Sequence, residues 1–180
     1  MDTATSRVDG KMLITAAAAG LLASAITGLA DRLLDRLVSE EQKKRDRQVR
    51  KGTAHAVAGP YFAEKIAGHE LTETGQKRAR AAFSITYSLV WGTIYTLLRK
   101  KYPQLARGAG LPFALPFFFA CDGLLAPLLG VSPSLKKVPW QPKAKEMVNH
   151  LAWTAAAEMV LRGTGRGTQR TWPAGQPGRA

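Results

Sequence analysis

The chain has 180 residues, room for one ordinary domain, and sets 26 Lys and Arg against 13 Asp and Glu, a net charge of +13. One cysteine excludes an internal disulfide and with it a small oxidised scaffold, and 46% hydrophobic residues exclude a disordered polyelectrolyte. The mean hydropathy of -0.13 looks soluble only as an average, because most of the charge lies outside four long apolar windows.

The first window, residues 12–30, has no charged residue and as a helix runs about 28 Å at ~1.5 Å per residue, close to the ~30 Å hydrocarbon core of a bilayer. It exceeds the roughly 7–15 residues of a signal-peptide core and runs on into Asp31-Arg32-Leu33-Leu34-Asp35-Arg36, so a membrane span is expected rather than a cleaved leader. Gly20, Ser24 and Gly28 recur at spacing four, a small-residue row suited to close helix packing, within this chain before a dimer.

The chain then turns polar. Glu40 with Lys44 and Glu41 with Arg45 are acid-before-base pairs at i,i+4, so a charged cytosolic helix is expected, and with Val49 its only apolar residue from 39 to 51 it has no face to bury. Lys43, Lys44, Arg45 and Arg47 are its candidate contacts to anionic lipid or a protein partner. Residues 53–70 read as a short amphipathic piece broken at Pro60, too short to span.

The second window, residues 81–98, is uncharged between Lys77-Arg78-Arg80 and Arg99-Lys100-Lys101, whose side chains can snorkel to headgroups. The third uncharged stretch runs from 108 to 135, with Asp122 its one charge and the span itself placed at 108–130; Pro112, Pro116 and Pro127 are tolerated where neighbouring helices re-satisfy freed carbonyls. The fourth, residues 147–161, is short and holds Asn149, His150 and Glu158, so it is expected to pack inside the other three. Residues 162–180 form a Gly/Pro/Arg tail expected to be disordered.

The expectation is therefore an all-α integral membrane bundle, a single domain over residues 1–161 with about four transmembrane segments and a basic loop over 31–80. The loops 31–80 and 131–146 carry 16 Lys and Arg against 10 on the opposite side, which places both termini outside the cytoplasm.

A carboxylate in mid-window costs roughly 2.5–3.5 kcal/mol on insertion scales, and such residues face a bundle interior or a wet cavity. Asp122 and Glu158 are thus candidates for a proton or cation site, with His150 nearby; the plainer alternative is a neutral carboxyl hydrogen-bonded to Asn149, Ser84 or Thr93. Glu146, His150 and Glu158 do not make a metal set, because residues 150 and 158 lie about 12 Å apart along a helix; Glu146 with His150 fits an i,i+4 hydrogen bond better. No G-x-S-x-G, H-E-x-x-H, P-loop or G-x-G-x-x-G occurs, so neither catalysis nor a cofactor is expected. Cys121 lacks a basic sequence neighbour to activate it, and the high charge fits anionic headgroups better than nucleic acid.

Tyr95, Tyr102-Pro103, Pro127-Leu128-Leu129-Gly130-Val131-Ser132-Pro133, Pro139-Trp140, Glu146, His150-Leu151, Trp153 and Glu158 together resemble the YagU-like family of bacterial inner-membrane proteins, over residues 87–161. That resemblance implies several helices in a bacterial cytoplasmic membrane and a loose link to acid tolerance; the family is mainly described as a domain of unknown function and offers no catalytic residues to carry over. A stress-linked membrane protein with proton- or cation-responsive carboxyls is the first expectation. A scaffold or binding subunit that docks a soluble partner or anionic lipid through residues 32–51 is the second, and a homo-oligomer stays open.

Overall fold

The computed structural model describes residues 10–166, whose regular structure is all helical, with no strand among them. Helix α1 (Gly10–Asp35) is followed by two short helices, α2 (Glu40–Val49) and α3 (Ala54–Ala67), then the long α4 (Glu73–Lys101). A 3-10 turn (Pro103–Gly110) leads into α5 (Leu111–Phe118), a π-helical stretch (Phe119–Leu125) and the single turn α6 (Ala126–Leu128). Helix α7 (Trp140–Leu161) and a π-turn (Arg162–Arg166) complete it; the remainder of the Gly/Pro/Arg tail lies outside the described residues.

Three segments, Gly10–Asp35, Glu73–Lys101 and Pro103–Leu128, are long and apolar enough to cross a membrane. Only 22%, 17% and 33% of their most apolar windows are buried inside the protein, so the leucine and isoleucine side chains point outward: Ile14, Leu29, Leu33 and Leu128 are each at least 60% exposed. A chain folding in water buries such stripes against itself.

Helix α7 is the converse. Its 22 residues include Glu146, Trp153, Thr154 and Glu158, all buried, and it packs against α1, α5 and the 3-10 turn. It is long enough to cross but too polar to qualify as a lipid-facing span, which is why three such helices, rather than the expected four, meet that criterion.

The order of contacts sets the directions. Ser24 of α1 meets Ser88 while Ala16 approaches Gly92, so α1 and α4 are antiparallel. Asn149 of α7 meets Asp31 and Trp153 meets Ser24, so α7 is antiparallel to α1 as well. The end of α1, helices α2 and α3, and the starts of α4 and α7 therefore share one end of the bundle, the loop end. Gly10 and Arg166 lie toward the other.

At the α1–α4 crossing the backbones nearly touch. A Cβ on Gly92 would sit 2.5 Å from the Ala16 carbonyl oxygen, and one on Gly20 would overlap that of Ser88. Glycine here admits an approach that any side chain would block.

Helices α2, α3 and α4 start at the loop end on side-chain caps: Ser39 accepts from the Gln42 N–H, Thr53 from Ala56 and Thr72 from Gly75. The expected break at Pro60 does not occur, and α3 runs through it. A mid-helix proline costs ~3 kcal/mol; here Pro60 is buried and its neighbour Gly59 packs directly on Ala79 of α4, so tertiary packing outweighs the lost bond.

Candidate functional site

Pro116 lies inside α5 and removes a backbone donor. Three residues later the chain widens into the π-helical stretch that carries Asp122, a local irregularity often found at functional positions. Asp122 lines a cavity of about 360 Å³, together with His55, Glu146, Asn149 and His150 and the aromatic Tyr87, Phe117 and Trp153.

His150 Nε2 lies 3.3 Å from Asp122 Oδ2, and His150 Nδ1 lies 2.9 Å from the Glu146 carbonyl oxygen. A carbonyl only accepts, so Nδ1 carries hydrogen. Nε2 is then bare in the neutral ring and would meet a bare carboxylate as acceptor against acceptor. The 3.3 Å approach of Asp122 to His150 is therefore favourable when one proton lies between the two groups. The expected i,i+4 contact between Glu146 and His150 forms, but through the Glu146 backbone rather than its carboxylate.

That carboxylate turns instead to Arg50, whose Nη2 is 2.6 Å from Glu146 Oε1. The contact is an ion pair off the hydrogen-bonding direction: neither oxygen of Glu146 accepts a directed hydrogen bond, and the Asn149 Oδ1 is likewise buried without a donor. Arg50 Nε also pairs with Asp46 at 2.7 Å. Burial works against the Arg50 charge, yet Glu146 and Asp46 hold its pKa above the ordinary arginine value. Lys145 adds bridges to Asp31 at 3.1 Å and Asp35 at 2.9 Å, and Asn149 donates to Asp31 at 2.6 Å.

His55 stands at the cavity wall with Nε2 2.6 Å from Ser84 Oγ and its ring edge-on to Phe83 and Tyr87. Those neighbours strip water from the ring although part of the residue stays exposed. Its pKa is lowered below 6.5 by this desolvation first and by the nearby His150 second.

Glu158 belongs to a different site, and Asp122 does not meet it. Only 1% exposed, it accepts from Tyr95 Oη at 2.9 Å, Arg99 Nε at 2.6 Å and Nη2 at 3.0 Å, and Arg162 Nε at 2.6 Å. Arg162 also donates to the Ala106 carbonyl at 2.8 Å, tying α7 to the 3-10 turn. Between the two carboxylates stands an aromatic core of Tyr95, Phe113, Phe117 and Trp153, in which Phe117 and Trp153 lie 5.4 Å apart. Among the described residues no group of three or more metal-ligating side chains converges.

On α2, Lys43 bridges Asp35 at 3.2 Å and Glu40 at 3.0 Å, and Arg45 pairs with Glu41 at 2.6 Å. Lys44 and Arg47 are exposed.

Reasoning from spacing singled out Asp122 and His150, with Asn149 as a hydrogen-bond partner for a buried carboxyl, but missed Arg50, Asp31 and His55 around them. These contacts join residues 29 to 118 positions apart, a separation with no local periodic signal. Arg50 stood inside a charge run whose members read alike.

The fold and site define a class: a helical bundle whose three long apolar segments face outward along their lengths while Arg50, Arg99, Glu146 and Glu158 are buried between helices. More specifically, residues 63–159, over half the chain, match the model of the family described as protein of unknown function DUF1440, and the chain belongs to that family. The match takes in Asp122, Glu146, His150 and Glu158 and stops short of α1, α2 and Arg50, so one wall of the cavity comes from outside it. No curated protein and no solved structure matches the chain.

Proposed function

We propose that this chain is a multi-pass protein of a bacterial inner membrane, in which the Asp122–His150 pair registers proton load through the cavity at the loop end. The observation that carries the reading is the 3.3 Å approach of His150 Nε2 to Asp122 Oδ2, which is favourable with one proton between them when Nδ1 donates to the Glu146 carbonyl on the far side of the ring. Removing that proton leaves a net negative charge in the bundle, and the uncompensated charge favours water entry and looser packing of α5 against α7. The YagU-like resemblance, with its link to acid tolerance, points the same way. In this reading α7 crosses as a fourth, internal helix.

Sensing fits better than conduction through the bundle, because the aromatic core separates Asp122 from Glu158, and Glu158 is already held by three donor side chains. The groups facing the pair are Asp31 from α1, His55 from α3, Tyr87 from α4 and Glu146 from α7, with Cys121 beside Asp122 and Arg50 behind Glu146. Any of them shifts the midpoint, but only loss of the pair removes the transition.

The test is the emission of Trp153, which lines the cavity, followed from pH 8 to pH 4 in the detergent-purified full chain with the other tryptophans replaced by Phe. A single transition is expected, with the proton bound on its acid side, and both Asp122→Asn and His150→Gln should abolish it. An unchanged transition in both variants overturns the reading. The bilayer is the principal partner, with the loop-end cations facing anionic headgroups at ~1 kcal/mol each.

A further inference from the structure

The cavity is lined by carboxylates, and two of its groups, Glu146 and Asn149, hold buried oxygens that accept no directed hydrogen bond among the described residues. Asp31, Asp122 and Glu146 line it as carboxylates and Asn149 as an amide. Glu146, 5% exposed, has no directed hydrogen bond at either oxygen, and Asn149 Oδ1 is buried with no donor either. A buried acceptor left without a donor has given up its hydration with no bond in return, a loss that grows when it is charged. A group that brings several N–H donors and a positive charge removes that cost.

The charge balance agrees. Asp31, Asp35, Asp46 and Glu146 divide Arg50 and Lys145 among them, with Lys43 reaching Asp35 from outside; Asp122 has only His150. Carboxylates therefore outnumber the fixed cations around the cavity. The remaining wall is aromatic, from Tyr87, Phe117 and Trp153, and aromatic faces attract a desolvated ammonium. About 360 Å³ lies at the small end of ligand pockets, room for a few heavy atoms.

We infer that this cavity binds a small protonated primary amine, its ammonium directed to Asp122, Glu146 and the Asn149 carbonyl and its carbon atoms against Trp153 and Phe117. The inference deepens the proposed function, because it rests on the same cavity and names its occupant. An ammonium beside Asp122 also competes with the proton shared with His150, so amine binding and acidification oppose each other. Two sources supply this chemistry: a free alkylamine and the headgroup of phosphatidylethanolamine.

The experiment titrates ethylammonium chloride into the full chain in maltoside micelles free of phosphatidylethanolamine at pH 8, by calorimetry and Trp153 emission, with ethanol as neutral isostere and potassium chloride at equal ionic strength. Saturable one-site binding of ethylammonium, and none of ethanol or potassium, is expected. Asp122→Asn should weaken it about 10- to 100-fold, the loss that accompanies a hydrogen bond to a charged group. Gly28→Leu serves as a second variant: Gly28 lines the cavity and a Cβ there meets nothing within 4 Å, so the fold tolerates it while the cavity fills, and binding should be lost. Absence of saturable binding, equal binding of potassium, or unchanged affinity in both variants overturns the inference. If amine fails to bind while the Asp122-dependent pH transition persists, the occupant is wrong and the proton reading stands; binding that depends on Asp122 without any pH transition separates them the other way. In nanodiscs, loss of ethylammonium binding on replacing phosphatidylcholine by phosphatidylethanolamine supports the inference with the headgroup as source, and retained binding supports it with a free amine.

Discussion

Gly20, Ser24 and Gly28 look equivalent as a row of small residues, yet the structure gives each a different task. Gly20 meets the backbone of α4, Ser24 accepts from the Trp153 indole at 3.0 Å and meets Ser88 Oγ at 2.6 Å, and Gly28 borders the cavity with open space where a Cβ would go. A helix face is legible from spacing, but what occupies the far side of it is not. Substitution at the two glycines should therefore diverge. Gly20→Val forces two backbones apart and should lower stability by about 3 kcal/mol or more, at or beyond the upper end of overpacking effects, seen as a lower melting temperature in detergent. Gly28→Ala should melt within a degree or two of the parent, a shift worth under ~0.5 kcal/mol. Equal effects at both positions would mean that the α1–α4 crossing is not as close as described.

At the scale of elements, the four apolar windows mark where α1, α4, the α5–α6 segment and α7 lie, and α1, α4 and α7 run past their windows while the α5–α6 helices stop inside theirs. Residues 12–30 sit within Gly10–Asp35 and 81–98 within Glu73–Lys101, because lipid selects the uncharged stretch while backbone hydrogen bonding continues into charged flanks that water solvates. Residues 147–161 form only the later part of α7, whose start at Trp140 follows Pro139. The long-range ion pairs were not legible at all: nothing in the run from Glu40 to Lys51 distinguishes Arg50, which is buried, from Arg47, which is exposed. That difference makes Arg50 the tie between the α2–α3 connection and α7. Arg50→Ala should strand the Glu146 carboxylate, a loss of about 3–5 kcal/mol when one partner of a buried pair is removed, whereas Arg47→Ala on the same helix should change stability by under ~0.5 kcal/mol. Thermal unfolding of the two variants in one detergent checks this, and a small effect of Arg50→Ala would show the pair to be hydrated.

At the scale of the whole molecule the surface decides which solvent the bundle suits. The outward residues of three long helices are apolar while Glu146, Glu158, Arg50 and Arg99 are buried, an arrangement inverted from that of a water-soluble bundle and consistent with lipid around it. The antiparallel order of α1, α4, the α5–α6 segment and α7 brings Gly10 and the Arg162–Arg166 turn toward one end, and the basic α2 with the 131–139 connection toward the other. The proposed orientation then follows from charge alone, since 16 of the 26 Lys and Arg fall in the two connections at the loop end. With Cys121, the one native cysteine, replaced by Ala, a cysteine at Lys51 should resist a membrane-impermeant maleimide in intact spheroplasts and react after lysis. A cysteine at Lys101, exposed at the opposite end of the bundle, should react in both. The reversed pattern would place the basic end outside; the cavity would then report on the external solution, and the proton load that reaches Asp122 and His150 would be that of the surroundings rather than of the cell interior.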